Sequence, residues 1–281
     1  MTNFGVSMFP TDYAIQPIEL AKEAEARGFE SLFFPEHTHI PTSRRTAWPG
    51  GGDLPLEYSH THDPFVGLMA AAAVTEKLKV GTGILLVPER DPIVTAKQIA
   101  SLDMISGGRA LIGIGAGWNV EELESHGVAF KDRWNVTRES VLAWRELWTQ
   151  EEAEYHGEFI NFEKSWSYPK PISPGGPPIL LGAESKWAYD RVVDYCDGWM
   201  PINGRGDLGA GIEQLKGACD RAERDFGELD LTVFGMGPQE ERATEVIELG
   251  FQRVIFNLPP AAPDVVLPLM DRYAELAEKL S

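Results

Sequence analysis

The sequence predicts an α/β protein of the (β/α)₈ TIM-barrel class, and three observations lead to that prediction. Short apolar strands alternate with amphipathic helices along most of the chain. The strands are nearly continuous apolar runs, which is typical of a parallel sheet covered by helices on both faces. The length of 281 residues suits one such barrel. A doubly wound open sheet is the competing arrangement.

Proline and glycine mark the boundaries of the predicted elements. Pro64 and Pro92 stand where helices begin, and Gly28 and Gly107 stand where helices end. The predicted strands, all short apolar runs, cover residues 4–9, 31–34, 79–87, 109–114, 179–181, 199–202, 231–234 and 253–257. The predicted helices, with apolar residues at helical spacing, cover residues 15–27, 64–77, 92–107, 132–148, 185–195, 208–225, 240–249 and 265–280.

Two segments interrupt the alternation of strand and helix. A polar stretch rich in proline and glycine spans residues 38–63 after the second strand, and we expect it to shape a substrate pocket. Between the fourth and fifth strands, an excursion adds a small hairpin at residues 154–162 and a proline-rich linker at residues 169–178. Because no linker separates two halves, residues 1–281 are predicted to form a single domain.

Composition narrows the class of partner. The formal net charge of −18 argues against a nucleic-acid partner, whose phosphates would be repelled. No apolar run reaches the length of a membrane span, and no signal peptide is recognisable at the N-terminus. The two cysteines, Cys196 and Cys219, form no disulfide or zinc pattern, which favours a reducing cytoplasm. An anionic ligand would need local positive charge, for which the candidates are Arg44, Arg45, Lys186 and Arg205.

Histidine chemistry is predicted at the end of the second strand, because barrel enzymes react on the loops that follow strands. A histidine imidazole can pass a proton in either direction, which makes His37 the leading candidate for proton transfer, unless it only caps the strand end. Its neighbour Glu36 either orients the ring or is solvated. A metal site is the alternative, since residue pairs spaced like metal ligands occur at His37 and His39 and at His60 and His62.

Two glycine-containing loops are candidates for ligand binding. Residues 112–117 follow the fourth strand and weakly resemble a dinucleotide-binding turn, although these glycines equally relieve crowding at the barrel rim. Residues 182–185 open the fifth helix, where free N–H groups attract anions and Ser185 is the predicted N-cap. Trp48 and Tyr58, in the long loop, are candidates for a substrate-binding wall.

Taken in order, four stretches of the chain resemble the bacterial luciferase-like superfamily of barrel oxidoreductases, and most closely its coenzyme F420-dependent branch. Each stretch alone is modest, but the ordered set is specific and spans nearly the whole chain. The stretches are FPEHTHIP at residues 34–41, VGTGILLVPERDP at 80–92, SGGRALIGIGAGW at 106–118, and PILLGAES at 178–185 continuing to DGW at 197–199.

The resemblance implies a role for each matched position. His37 corresponds to the active-site histidine of the family. Gly83 and Ile84 correspond to a pair joined by a non-prolyl cis peptide that backs the central ring of the cofactor. Trp118 and Asn119 correspond to contacts with the pyrimidine side of the ring or with substrate. The positions implied to bind the cofactor phosphate are Gly182, Ala183, Glu184 and Ser185.

The resulting hypothesis is an oxidoreductase that transfers a hydride between coenzyme F420 and a small organic substrate, with His37 as proton donor or acceptor. An FMN-dependent monooxygenase is the alternative, because Glu36 precedes His37 as in true luciferases, whereas deazaflavin sugar-phosphate dehydrogenases have Asp-His. A metal-dependent barrel hydrolase and a non-catalytic flavin-binding barrel are two further possibilities. The resemblance, together with the small-residue helix at residues 70–73, predicts a homodimer.

Overall fold

A computed structural model of the protein describes residues 2–281, and its central element is a closed barrel of eight parallel strands. Around the barrel the strand order is β1-β10-β9-β8-β7-β4-β3-β2, so that β1 pairs with both β10 and β2. The predicted barrel is therefore confirmed, and the competing open sheet is wrong. The predicted excursion between the fourth and fifth barrel strands contains the antiparallel hairpin β5–β6.

The strands are β1 (Asn3–Ser7), β2 (Ser31–Phe34), β3 (Lys79–Leu86), β4 (Ala110–Gly115), β5 (Ala153–His156), β6 (Asn161–Ser165), β7 (Ile179–Leu181), β8 (Gly198–Trp199), β9 (Asp230–Met236) and β10 (Arg253–Asn257). The helices are α1 (Pro17–Ala26), α2 (Glu57–His60), α3 (Pro64–Ala72), α4 (Pro92–Ser106), α5 (Val120–Ser125), α6 (Arg133–Thr149), α7 (Ala188–Tyr195), α8 (Leu208–Arg221), α9 (Glu240–Glu248) and α10 (Pro263–Leu280). No helix within the described residues has the length and hydropathy needed to cross a membrane.

Helix boundaries follow the signals that the sequence predicts. Asp63 and Asp91 cap α3 and α4, and each carboxylate accepts a hydrogen bond from a backbone N–H of the first turn. A proline follows each cap at the first helical position, where its missing N–H costs nothing. Gly107 ends α4 in the left-handed conformation, with φ of 73°, which glycine adopts without strain.

The interior of the barrel is packed, and its ends differ. A small cluster of buried side chains fills the middle, and it consists of Phe33, Leu111, Leu180, Met200 and Ile255. At the N-terminal end of β10, the buried Arg253 donates to the carboxylates of Glu30 and Asp230. The opposite end, where the strands finish, is left open for a site.

Several predicted boundaries are corrected by the structure. Helix α7 begins at Ala188, so Ser185 is not its N-cap; instead the Ser185 carbonyl accepts the Ala188 N–H. The predicted sixth strand shrinks to the two residues of β8, followed by an isolated bridge at Ile202. The short helix α2 lies within the long loop, for which no helix is predicted, and the short acidic helix α5 follows the glycine-containing turn at residues 112–117.

The helix that was expected to support a homodimer packs inward. Ala71 and Ala72 of α3 are buried against the barrel, so these small residues serve the core. Exposed apolar residues of this region include Val66 on α3 and the neighbours Ile93 and Val94 at the start of α4. The homodimer stays a prediction.

Candidate active site

A cavity of about 280 Å³ opens at the carboxyl ends of the barrel strands, where barrel enzymes carry their sites. Its size is near the lower limit of small-molecule sites, and its wall is mainly apolar. The lining residues come mainly from strand ends and from loops that are far apart in the chain, and they are Ser7, Met8, Phe9, Pro35, Glu36, His37, Trp48, Pro49, Tyr58, Gly83, Ile84, Leu86, Ala116, Gly117, Trp118, Trp134, Gly182, Ile202, Arg205, Phe234 and Asn257.

His37 faces this cavity with one ring nitrogen already engaged. Its Nδ1 lies 2.9 Å from both carboxylate oxygens of Glu122, whose side chain is fully buried. Because an ionised carboxylate only accepts, this geometry makes Nδ1 the protonated nitrogen of the neutral ring. Nε2 is then the nitrogen left to exchange a proton with a molecule in the cavity. The His37 side chain is 6% exposed, so the carboxylate can balance an imidazolium with little screening by solvent.

Glu36 does not orient the histidine. Its carboxylate accepts from the backbone N–H of Leu86 at 2.7 Å and from Nε of Arg90 at 2.6 Å. Burial raises the pKa of Glu36, and the Arg90 guanidinium opposes that rise. Glu36 is therefore neither solvated nor the partner of the His37 ring; it ties the loop after β2 to the end of β3.

An aromatic wall surrounds His37. The Tyr58 ring lies 4.9 Å from the His37 ring and 6.2 Å from the Trp118 ring, measured between centroids. The Trp48 ring lies 6.1 Å from that of Tyr58. The long loop thus brings both predicted substrate-wall residues beside the histidine, which favours an apolar or ring-bearing ligand.

The loop carrying Trp48 is fastened by Glu121, the neighbour of Glu122 on α5. Its carboxylate accepts from the backbone N–H of Arg45 and from the Thr46 hydroxyl. Burial opposes ionisation of Glu121, but these hydrogen bonds outweigh it and hold its pKa at about 2.

The Gly83–Ile84 peptide is cis, as the resemblance implies, and both residues line the cavity. The Ile84 side chain packs over two glycines: a Cβ at Gly115 would lie 2.1 Å from Ile84 Cδ1, and one at Gly182 would lie 2.7 Å from Cγ2. Gly113 likewise makes room for Met200 and for the backbone of Thr82. Packing therefore accounts for Gly113 and Gly115 of β4 and for Gly182 after β7, as the barrel-rim explanation predicts for the glycines of residues 112–117.

The predicted phosphate loop lies beside the cavity, but only its first residue, Gly182, lines it. Ala183 accepts from the Trp199 indole through its carbonyl, and the half-buried Glu184 carboxylate accepts from the Ile202 N–H. Burial raises the pKa of Glu184. Ser185 is exposed at the approach to α7.

Of the four cations predicted to assist an anionic ligand, only Arg205 lines the cavity. The Lys186 ammonium lies 4.5 Å from the centroid of the Trp187 ring. Arg44 approaches the Trp118 ring at 5.9 Å, and Arg45 pairs with carboxylates of α5. Positive charge at the cavity wall therefore rests on Arg205.

Asn119 lies behind the wall rather than in it. The side chain is buried, and its Nδ2 is 3.5 Å from Glu122 Oε2. Its predicted cofactor contact stays a prediction. Glu122 itself is a functional residue that the sequence reasoning missed; the available signal was an acidic first turn directly after β4, which Glu121 shares.

The histidine pairs do not form a metal site. His60 bonds the Asp12 carboxylate, and His62 bonds the Gln16 side-chain amide. His39 shares the Thr38 hydroxyl with His126. Among residues 2–281, the one metal-like group is the exposed trio Glu154, His156 and Glu163 on the hairpin, away from the cavity.

Comparisons with known proteins agree with this architecture. The sequence profile described as luciferase-like monooxygenase matches residues 10–276. An uncharacterized protein of Mycobacterium tuberculosis is 38% identical over 275 residues, which is 97% of each chain. The 5,10-methylenetetrahydromethanopterin reductase of Methanolobus tindarius is 25% identical over 266 residues, or 94% of this chain and 73% of that one.

Solved structures show the same fold at lower identity. The coenzyme F420-dependent tetrahydromethanopterin reductase of Methanopyrus kandleri superposes with a TM-score of 0.79 at 18% identity, covering 100% of this chain and 99% of that one. The monooxygenase RslO1 of Streptomyces bottropensis gives a TM-score of 0.82 at 18% identity, with 99% of each chain covered. The protein belongs to the luciferase-like monooxygenase family of barrel oxidoreductases, whose members include F420-dependent and FMN-dependent enzymes.

Proposed function

We propose that this protein transfers a hydride between coenzyme F420 and a small organic substrate, with His37 as the proton donor or acceptor. The observation that carries the proposal is the His37–Glu122 pair at the wall of the cavity, with Nδ1 held at 2.9 Å and Nε2 free. A hydride that leaves an alcohol carbon must be accompanied by loss of the hydroxyl proton, and Nε2 is the base available to take it.

The residues of the cavity fit a flat cofactor with an anionic arm. Gly83 and Ile84 present a backbone bulge at the cavity wall, and Tyr58 and Trp118 supply aromatic surface in the same wall. Near Gly182, the backbone N–H groups of residues 183–187 donate to no backbone carbonyl of the described chain, and Arg205 adds a cation. When bound, the cofactor would supply the carbon that accepts or gives the hydride.

The chain's own residues would position the reactants and manage the proton. The aromatic wall of Trp48 and Tyr58 would exclude water from the reacting carbon and hold an apolar substrate against the ring. Glu122 would stabilise the imidazolium form of His37 after the proton is taken. In the reverse direction, the same imidazolium would return the proton to a carbonyl oxygen.

An FMN-dependent monooxygenase is the second candidate, supported by the family description and by the Glu36-His37 dipeptide. The test is an equilibrium titration of the protein with F420 and with FMN, side by side at low and at raised salt. We expect F420 to bind more tightly, with a preference that shrinks as salt rises because its additional carboxylates meet Arg205 through screened contacts. Tighter binding of FMN at low salt would overturn the F420 assignment.

A matched pair of variants tests the contribution of the cofactor's anionic arm to binding separately from that of its ring. Arg205→Gln should weaken F420 more than FMN, because it removes the cation at the wall without altering the bulge. Lys186→Gln is the control, since its ammonium packs over Trp187 outside the cavity.

A further inference from the structure

Glu89, which the proposed reaction does not use, is a second buried carboxyl group behind His37. It ends the short 3₁₀ turn after β3 and is 5% exposed. The backbone of Gly117 covers one of its oxygens so closely that a Cβ at Gly117 would lie 3.3 Å from Oε1. Water is therefore excluded from much of this carboxyl group, and its partners must come from the protein.

The neighbour of Glu89 is another carboxyl group. No N–H or hydroxyl group in residues 2–281 donates to either Glu89 oxygen. Helix α5 packs against the turn that carries Glu89, and its Glu122 carboxylate, which also receives Nδ1 of His37, is close enough to raise the pKa of Glu89. Two ionised carboxylates have no proton to share and repel each other, so contact between them requires that one be protonated.

The surroundings decide which of the two holds the proton. Glu122 is approached by His37 Nδ1 at 2.9 Å and by Asn119 Nδ2 at 3.5 Å, both of which favour an ionised acceptor. Glu89 has no such donor. The other charged groups that face the pair are the Glu36 carboxylate, the Arg90 guanidinium paired with it, and His126.

We propose that Glu89 is a positioning residue that stays protonated and donates its O–H to Glu122, so that the pair carries one negative charge and holds His37 with Nε2 toward the cavity. Burial, with the nearby Glu122 and Glu36 carboxylates, raises the pKa of Glu89 to about 10, in agreement with a neutral acid at neutral pH. The functional use of this arrangement rests on the proposed role of His37.

The arrangement fixes the charge at each stage of proton transfer. Before transfer, neutral His37 and the pair together carry one negative charge. When Nε2 takes a proton from a substrate hydroxyl, the imidazolium and the pair become neutral overall. The Glu89 proton stays on the pair throughout, because its donation to Glu122 makes that carboxylate a weaker base toward the Nδ1 proton.

The first test needs neither cofactor nor substrate. The infrared difference spectrum between the wild type and Glu89→Gln at neutral pH should contain the carbonyl band of a protonated carboxyl group, lost in the variant. Absence of this band from the wild type would overturn the proposal. Because Gln is isosteric and neutral, the variant should fold, which circular dichroism checks.

The second test measures the protonation of His37 as a function of pH. In a ¹⁵N-histidine NMR pH titration, His37 is assigned by the signal lost in His37→Asn. Glu89→Leu should move the midpoint of the His37 titration upward by about one pH unit or more, the shift that matches a lost hydrogen bond to a charged group, and Glu89→Gln should restore it. An unchanged midpoint in Glu89→Leu would refute the positioning role even if the infrared band is present. Neither test uses cofactor or substrate. Failure of the protein to bind F420 or to turn over a substrate would therefore contradict the proposed function and leave the proposal about Glu89 to these two tests.

Discussion

Replacing Glu89 by glutamine should raise the free energy of unfolding relative to that of the wild type, by an amount that grows as pH rises. Between its ordinary value of 4.5 and the raised value of about 10, the folded protein holds a proton on Glu89 that the unfolded chain has released. A group whose folded pKa is raised loses its contribution to stability as pH rises through this window. Glutamine is neutral at every pH, so the variant lacks this loss.

The magnitude follows from proton linkage. When only the folded state binds a given proton, the free energy of unfolding falls by about 1.4 kcal/mol for each unit by which pH rises. From about pH 5 to about pH 8, the advantage of Glu89→Gln over the wild type should therefore grow by roughly 4 kcal/mol. The slope is the quantity to test, because any loss of packing by the amide adds a constant at all pH values.

The assay is urea unfolding of both proteins at intervals of one pH unit, with the free energy extrapolated to water. Glu248→Gln is the matched control: it makes the same chemical change at an exposed position on α9, and it should give no growing difference. A difference between wild type and Glu89→Gln that stays constant with pH would show that Glu89 is ionised in the folded protein, and the reasoning would fail.

Four further outcomes are expected. His37→Asn should lower turnover by about 10²–10⁴-fold with little change in cofactor affinity, measured by steady-state kinetics and titration; wild-type turnover would mean that His37 is structural. Arg253→Met should lower the free energy of unfolding by about 3–5 kcal/mol, because it leaves Glu30 and Asp230 without their shared cation. Urea denaturation measures this loss, and a clearly smaller loss would contradict the expectation. Lowering the pH from 4.5 towards 2 should protonate Glu121 and release the loop that it fastens, seen as faster cleavage by an acid-stable protease. Sedimentation equilibrium should give a homodimer, and a monomer at micromolar concentration would contradict that expectation.

The sequence by itself determined the architecture of this protein. Strand and helix periodicities, with Pro64, Pro92 and Gly107 at boundaries, predicted the alternation that the barrel contains. These signals work because a chain must bury its apolar faces and satisfy its helix ends wherever the elements finally lie. The same logic located His37, since the end of a barrel strand faces the open mouth whatever the neighbouring loops do.

Only the tertiary structure decided which carboxylate serves the histidine. Glu36 adjoins His37 in sequence, yet successive side chains of an extended segment point to opposite sides, and Glu36 turns to Arg90. Glu121 and Glu122 differ by about 100° around α5, so one fastens the long loop and the other reaches the imidazole. Glu121 and Glu122 are the same residue type at adjacent positions, so the sequence offers nothing to tell their roles apart. Contacts between distant segments separate them, because a hydrogen bond depends on where two chain segments meet in space.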